Sequence, residues 1–304
     1  MSTPQSAILP EAAQHALYMV INVTENTKDL VKQCILLPIL IETLKKEHNV
    51  DKLYASLAFG ADYWDTIYTK GRPQRLKTFI ELGKGDVFAP ATGGDIFLHI
   101  HADRKDMVYV LASEFIKSIK ENIQVFDEVE GFHYLDDRDL TDFIDGTENP
   151  EGEERAEVAL IDDEPEFGGG SYVLAQRYVH NLPKWQKVAD DEQEKVIGRT
   201  KPDSVELGED VMPETSHVSR VVIEEDGEEL EIVRHSLPYG KASGDSGLFF
   251  LAYSKDNTIL EKMLANMFGT NGDGLHDQLM NYTTAKSGAY FFAPSIEMLE
   301  SLGK

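Results

Sequence analysis

The chain has 304 residues, of which 41% are apolar and 27% charged, a composition typical of a folded globular protein. Acidic residues outnumber basic residues by 54 to 29, which gives a net charge of −25 at pH 7. Because this charge repels phosphate backbones and anionic lipid, we expect neither nucleic acid nor a membrane as a partner. The length is about twice that of an ordinary domain, which predicts two domains or one domain of two halves.

Cys34 is the only cysteine, so the chain has no intramolecular disulfide, CxxC redox pair, cysteine zinc cluster or CxxCH attachment site. The first residues lack a basic segment, a twin arginine and an apolar run. No later apolar run is long enough to span a bilayer. These features predict a cytoplasmic protein.

In chain order, the first half predicts a strand, a helix, two strands, a second helix and a further strand. The helical spacing between the first two strands follows Asn26, a possible N-cap, and Pro38 should bend that helix. The predicted strands cover residues 15–23, 53–59, 95–101 and 123–134, and the helices carry apolar stripes over residues 30–44 and 108–119.

From residue 168 a similar order begins again, with a helix expected to end at Gly198 and a hairpin at Asp226-Gly227. The predicted strands cover residues 171–178, 221–223, 230–236, 247–253 and 290–293, and the helices residues 185–196 and 259–267. Two βαββαβ-like halves are the simplest account. We therefore predict an α+β fold of tandem ferredoxin-like halves, residues 1–150 and 151–304, with facing antiparallel sheets as in dimeric α+β barrels.

Asp145 is the first candidate for chemistry. It lies in Asp142-Phe-Ile-Asp145-Gly-Thr-Glu-Asn-Pro150, where Asp-Gly and Asn-Pro both favour turns. A carboxylate held in a tight turn between apolar residues is a possible acid or base. Taken alone, the segment is more readily a surface turn, because short motifs often match by chance.

Arg234 is the second candidate. A period of two places Ile232, Arg234 and Ser236 on one face of a strand, and His235 on the other, where we interpret it as structural. If the first face looks into the protein, the guanidinium needs an anionic partner, which could be Asp145 or a ligand.

Two further histidines, His99 and His101, share a strand face and could bind a metal. No nearby carboxylate or cysteine completes a usual set of ligands, so the sequence favours an ordinary sheet face.

The chain closely resembles the dye-decolourising haem peroxidases, in particular the cytoplasmic subgroup without a twin-arginine signal. The resemblance spans nearly the whole chain, and the family's fold is a tandem of ferredoxin-like halves. The matching segments are Ser6-Ala-Ile-Leu-Pro10, Phe143-Ile-Asp-Gly-Thr-Glu-Asn-Pro150, Gly169-Gly-Ser-Tyr-Val173, Ile197-Gly-Arg-Thr200, Ser216-His217, Ile232-Val-Arg-His-Ser-Leu-Pro-Tyr-Gly240 and Phe291-Phe-Ala-Pro294.

One residue departs from the family's motif. Asp142 stands where the motif, usually written GxxDG, begins with glycine. If the position needs a positive φ, aspartate is among the better substitutes, and it could bring a second carboxylate near the pocket.

The resemblance implies one haem b per chain, with His217 as the proximal ligand to iron and Asp277 as the acceptor that orients it, Asp273 being the alternative. It further implies that Asp145 moves a proton between the two oxygens of hydrogen peroxide. Arg234 would hold the peroxide and stabilise the developing negative charge.

The resemblance also places Arg199 on a haem propionate and Ser236, Gly146 and Thr147 in the haem pocket. For Arg199 the alternative is a solvated residue at a helix end. The implied reaction is peroxide reduction with one-electron oxidation of small aromatic donors such as phenols and dyes. Electrons could leave through Trp64, Trp185 or tyrosines, and a homodimer or larger homo-oligomer is expected.

Two alternatives to a peroxidase are a haem carrier or iron-release protein without peroxidase turnover, and a haem-free α+β scaffold. A carrier has little reason to bury an acid and an arginine on the far side of the haem.

Overall fold

The structure is a computed structural model that describes residues 2–302. Its first half contains six strands, four α-helices and one short 3-10 helix within the described residues. In chain order these are β1 His15–Val23, α1 Lys28–Ile35, α2 Leu37–His48, β2 Leu53–Phe59, α3 Ala61–Ile67, β3 Leu82–Lys84, β4 Val87–Ala89, β5 Ile96–Ala102, α4 Lys105–Ile119, the 3-10 helix Lys120–Asn122 and β6 Ile123–Phe132.

The second half follows the Asp145 turn. In chain order its elements are α5 Glu154–Ala159, β7 Ser171–His180, α6 Leu182–Trp185, α7 Asp190–Ile197, α8 His217–Val221, β8 Glu224–Glu225, β9 Glu228–Glu229, β10 Val233–Arg234, β11 Leu237–Gly240, β12 Ser246–Ser254, α9 Asn257–Met267, the 3-10 helix Gln278–Asn281, β13 Thr283–Ala285, β14 Ala289–Ala293 and α10 Ile296–Ser301.

The long strands form one ten-stranded antiparallel sheet in the order β10-β12-β7-β14-β2-β5-β1-β6, with β11 on β12 and β13 on β7. The segment β2-β5-β1-β6 and the segment β10-β12-β7-β14 follow the same pattern of connections, so each half is one ferredoxin-like unit. The halves join where β14 pairs with β2, at Phe292 and Phe59. This confirms the predicted α+β class of tandem halves.

The sheet remains open. A Cβ added to Gly131 on β6 would lie 2.9 Å from the Cβ of Leu237 on β11, so these two edges touch. No hydrogen-bonded ladder joins them within residues 2–302. The arrangement is thus a curled sheet rather than a closed barrel. The predicted division of the chain at residues 150 and 151 stays a prediction.

Two buried clusters lie on opposite sides of the sheet. The helices of the first half cover one side, where Leu98, Leu111 and Phe115 belong to the largest cluster. The inner faces of the two halves pack on each other, with Tyr18 and Phe97 in one cluster with the second-half aromatics and aliphatics. Burial of this inner face is what holds the halves together.

Several helices and strands differ from those that the sequence predicted. The helix expected over residues 30–44 is two helices, because Pro38 lies in the first turn of α2 instead of bending a longer helix. Thr27, not Asn26, caps α1. Residues 221–223 were expected as a strand, but Val221 ends α8, a helix capped by Ser216. No helix of the described residues is long and apolar enough to cross a membrane.

Candidate active site

A cleft lies between the second-half part of the sheet and α9, and residues of the Asp145 turn also line it. It holds roughly 1060 Å³ of space including its open mouth, and its walls are mainly aliphatic, aromatic and methionine side chains. The polar residues that line it include Asp145, His217, Arg234 and Ser236. The apolar residues are Leu174, Val221, Val222, Leu230, Ile232, Leu248, Phe250, Leu260, Met263, Leu264, Met267, Leu279 and Met280.

His217 is the first residue of α8, just after the cap Ser216. Its Nδ1 lies 2.6 Å from Oδ2 of Asp277, a fully buried carboxylate. Since a carboxylate can only accept, Nδ1–H donates, and Nε2 keeps its lone pair. The ring is 28% exposed, and its free surface faces the cleft. This arrangement suits a metal ligand oriented by a carboxylate.

Asp277 is itself held by the fold. It caps the 3-10 helix Gln278–Asn281, where its Oδ1 accepts a hydrogen bond from Leu279 N at 2.8 Å. Asp273, the alternative acceptor, instead takes a hydrogen bond from Nη1 of Arg220 at 2.7 Å. That bond is the main cause that lowers the pKa of Asp273 to about 2. The structure therefore places Asp277, and not Asp273, beside His217.

Asp145 and Arg234 approach each other at the cleft, with 4.0 Å between Oδ1 and Nη1. Burial raises the pKa of Asp145, and the Arg234 charge partly opposes this effect. About a third of the Asp145 side chain, 32%, is accessible, and that surface borders cavities. A carboxylate in such surroundings keeps its proton to a higher pH than a free aspartate does.

Asn149 ties the Asp145 turn to the strand that carries Arg234. Its side-chain amide donates to the Arg234 carbonyl at 2.9 Å and accepts from the Arg234 N–H at 2.8 Å. We missed this residue in the sequence, where it stood only as a turn former before Pro150. The available signal was that an asparagine amide has both a donor and an acceptor, as a strand backbone does.

A second cavity adjoins the first, and Asp145, Arg234 and Ser236 line both. Gly146 and Thr147, predicted in the haem pocket, line only the second cavity. It is also lined by His133, Tyr134, Asp137 and Arg138. Asp145 therefore borders a second space outside the apolar cleft.

The guanidinium of Arg199 is hydrogen-bonded and ion-paired to other residues of the chain. Its guanidinium donates to the Ser204 carbonyl at 2.7 Å and to Oε2 of Glu206 at 3.1 Å, and it contacts Glu148. Of this group, Glu148 lines the cleft and Arg199 does not. A propionate contact at Arg199 stays a prediction.

Asp142 adopts φ 71°, so the position does take the left-handed conformation that favours glycine. Its side chain is exposed, and Oδ2 lies 4.0 Å from Nζ of Lys201. It lines neither cavity. The second carboxylate that the sequence allowed near the pocket is therefore not there.

Comparisons with known proteins agree with this geometry. The family model "Dyp-type peroxidase, N-terminal" matches residues 5–133, and "Dyp-type peroxidase, C-terminal" matches residues 136–298. The chain belongs to the Dyp-type peroxidase family. It is therefore a haem-dependent peroxidase, an oxidoreductase whose oxidising substrate is hydrogen peroxide. The apolar cleft and the bare Nε2 of His217 fit a haem.

Individual relatives are similar over most of the chain. A dye-decolorizing peroxidase of Mycobacterium tuberculosis is 41% identical over 80% of this chain and 74% of its own length. One of Mycolicibacterium paratuberculosis is 36% identical over 98% of this chain and 85% of its own. Among solved structures, a dye-decolorizing protein from V. cholerae has 48% identity and a TM-score of 0.94, covering 98% of this chain and 99% of its own. A DypB variant of Rhodococcus jostii RHA1 in complex with heme has 35% identity and a TM-score of 0.94, covering 100% of both chains.

Proposed function

We propose that this peroxidase uses Asp145 and Arg234 as its catalytic pair, His217 as its iron ligand, and small phenols or dye-like molecules as electron donors. The observation that supports this best is the position of Asp145 and Arg234, which border both the apolar cleft and the second cavity. When bound, haem b supplies the redox chemistry: it gives two electrons to peroxide and regains them from donors, one electron at a time.

Asp145 acts as the proton carrier. It accepts a proton from one oxygen of hydrogen peroxide and delivers it to the other, which leaves as water. For the first transfer it must be ionised. Since burial raises its pKa, the protonated form that returns the proton is reached more easily than in a free aspartate.

Arg234 holds the peroxide and stabilises negative charge as the O–O bond breaks. This task needs a permanent cation with several donors, which guanidinium provides and ammonium provides less well. Asn149 fixes the backbone of Arg234 relative to the Asp145 turn through its two hydrogen bonds. The pair is therefore preorganised across two segments that are distant in the chain.

His217 holds the iron through Nε2, while Asp277 keeps Nδ1 protonated and the ring in place. Ser236 borders the pair, and its Oγ accepts a hydrogen bond from Leu251 N at 3.2 Å, which holds β12 against this segment. Arg199 contacts a propionate, and Gly146 and Thr147 shape the approach of peroxide. We further propose that the protein is cytoplasmic and homo-oligomeric.

The test is to titrate the purified protein with haem and follow its absorption spectrum, then to measure peroxide-dependent oxidation of a phenol and a dye. His217→Ala should lose the spectrum of a histidine-ligated haem. Asp145→Asn and Arg234→Leu should keep haem and lose turnover. If these two variants oxidised donors at the rate of the unsubstituted protein, the proposed pair would be wrong. A haem carrier would bind haem and show no turnover even without substitutions.

A further inference from the structure

Three buried histidines meet away from the haem cleft. His99 and His101 lie on the inner face of β5, and His235 lies between β10 and β11. Each is at most 1% exposed. One ring nitrogen from each residue can be chosen so that the three atoms all lie within 4.8 Å of one another. The sequence placed His99 and His101 together but gave no third ligand, which the second half of the chain supplies.

Four nitrogens of these rings have no hydrogen-bond partner. They are Nε2 of His99, both ring nitrogens of His101 and Nδ1 of His235. Polar atoms buried in a protein almost always have partners, since an unpaired buried group costs free energy. Four unpaired nitrogens in one small group therefore indicate a site that binds a ligand.

The remaining nitrogens are arranged as in a metal site. Nδ1 of His99 lies 3.0 Å from the Tyr253 hydroxyl, which lies 2.7 Å from the Ser56 hydroxyl. Nε2 of His235 lies 3.0 Å from the Ile8 carbonyl, to which it can only donate. When Nε2 donates to Ile8, Nδ1 of His235 has the free lone pair, and Nη2 of Arg155, which also lies 3.0 Å from Nε2, cannot donate to that nitrogen. A ligating histidine generally donates its second N–H in this way.

Burial keeps these rings neutral, as ligands must be. It lowers the pKa of His101 to about 4 and lowers the pKa of both His99 and His235 well below the ordinary value. All three rings are thus free to donate lone pairs at neutral pH.

Nearby charges limit the charge of an ion that the three histidines could bind. Nη2 of the buried Arg155 lies 3.0 Å from Nε2 of His235, so a positive charge already borders the group. A divalent ion with three neutral ligands would add two uncompensated charges there, which is expensive in a dry interior. A monovalent ion costs less, and copper is among the metals that imidazole binds well.

We propose that His99, His101 and His235 form a buried three-coordinate site for Cu(I), which links the two halves of the chain. Metal–nitrogen bonds of about 2.0 Å would place the nitrogens about 3.5 Å apart, so the rings must close by about an ångström. His99 and His101 stack at 5.0 Å between ring centroids, and His235 lies at 5.3 and 5.2 Å from them. Because the rings of His99 and His101 are stacked with 13° between their planes, both must also tilt toward the ion.

The test uses the haem-loaded protein under anaerobic conditions. Cu(I) is supplied with a competing chromophoric chelator, and copper, haem and protein are quantified after gel filtration. We expect one tightly held Cu(I) per chain, nitrogen-only coordination in X-ray absorption, and a higher Tm, because an ion bound only by the folded protein stabilises it. His235→Phe should weaken copper binding by at least about tenfold.

His48→Phe is the matched control, because His48 is exposed at the end of α2. It should bind copper as the unsubstituted protein does. Unchanged haem absorption shows that each variant is folded. If His235→Phe does not fold, the unsubstituted protein alone still decides, since uptake of no copper would overturn the site. Equal uptake by both variants would also overturn it, and tighter binding of Zn²⁺ than of Cu(I) would overturn the choice of ion.

Discussion

Nδ1 of His217 donates a hydrogen bond to Oδ2 of Asp277 over 2.6 Å, and Asp277 is completely buried. Asp277→Asn keeps an oxygen acceptor at that place but removes the negative charge. Because the imidazole then becomes less electron-rich, we expect haem affinity to fall about 10- to 100-fold and the iron reduction potential to rise. Haem titration and spectroelectrochemistry measure both quantities.

Asp273→Asn is the control for this prediction. It changes the same charge in the same loop, but Asp273 pairs with Arg220 and not with His217. We expect the reduction potential to stay as it is in the unsubstituted protein. Equal shifts in the two variants would mean that the loop's total charge, and not the hydrogen bond to His217, sets the potential.

Protonation of Asp145 should set the acid limb of the pH profile, which is the fall in the rate of the peroxide reaction at low pH. Only the carboxylate accepts a proton, and burial raises its pKa, so the rate should fall with acidity from a pH above that expected for a free aspartate, about 3.9. Asp145→Asn should reduce kcat/KM for peroxide by about 10²- to 10⁴-fold and remove this limb. Stopped-flow kinetics between pH 3 and pH 8 would show both effects. A variant that kept the limb would exclude Asp145 as its source.

The same substitution should stabilise the fold at neutral pH. Because the folded protein raises the pKa of Asp145, it favours the protonated carboxyl. The resulting stability is present below the unfolded pKa and is lost as the pH rises through the folded pKa. A neutral asparagine avoids that loss, so Asp145→Asn should have the higher Tm at pH 7 and nearly the same Tm at pH 3. A lower Tm of the variant at pH 7 would contradict the shift.

The role of Arg234 can be tested with one substitution that keeps its positive charge and one that removes it. Arg234→Lys keeps the positive charge that opposes the raised pKa of Asp145, so the acid limb should stay in place. The rate of the peroxide reaction should nevertheless fall about 10²- to 10³-fold, because ammonium lacks the fork of donors. Arg234→Leu should in addition move the acid limb to higher pH. Identical pH profiles for the two variants would show that Arg234 does not act on Asp145.

Asp142 offers a stability prediction. Its φ of 71° costs roughly 1 kcal/mol for a residue with a Cβ, and glycine avoids that cost but loses more entropy on folding. Asp142→Gly should therefore change the free energy of unfolding by less than about 1 kcal/mol. The pH profile should not move, since the side chain lines neither cavity. Denaturant titration and the kinetic pH profile check the two parts.

The sequence predicted the regular parts of this protein well because a single period describes them. Strand β1 and strand β2 begin and end where the apolar runs do, at His15–Val23 and Leu53–Phe59. The alternation that put Arg234 and Ser236 on one face and His235 on the other also holds, since the first two line the cleft and His235 is buried. Local patterns are sufficient wherever burial on one face decides the structure.

The parts that were missed depend on contacts between distant segments. Asn149 and Arg234 are joined across 85 positions of the chain, and His235 meets His99 only after the two halves pack together. Likewise, Glu206 and Glu148 contact the Arg199 guanidinium, while the propionate contact predicted for Arg199 stays a prediction. The spacing of residues within one segment does not show which distant residues they contact. The resemblance to a family implied the roles of the site residues but not their hydrogen-bond partners.

Asn149 leads to the last prediction, because its amide joins the backbone of Arg234 by two hydrogen bonds. Asn149→Ala should cost about 1–3 kcal/mol of stability and slow the peroxide reaction about tenfold or more, since Arg234 is then less well held. Asn181→Ala is the control: Asn181 caps α6 by accepting from Lys184 N at 3.1 Å, so its loss costs about 1 kcal/mol. The control should leave the peroxide reaction unchanged. If both variants slowed it equally, general loosening of the fold would explain the effect, and Asn149 would have no positioning role.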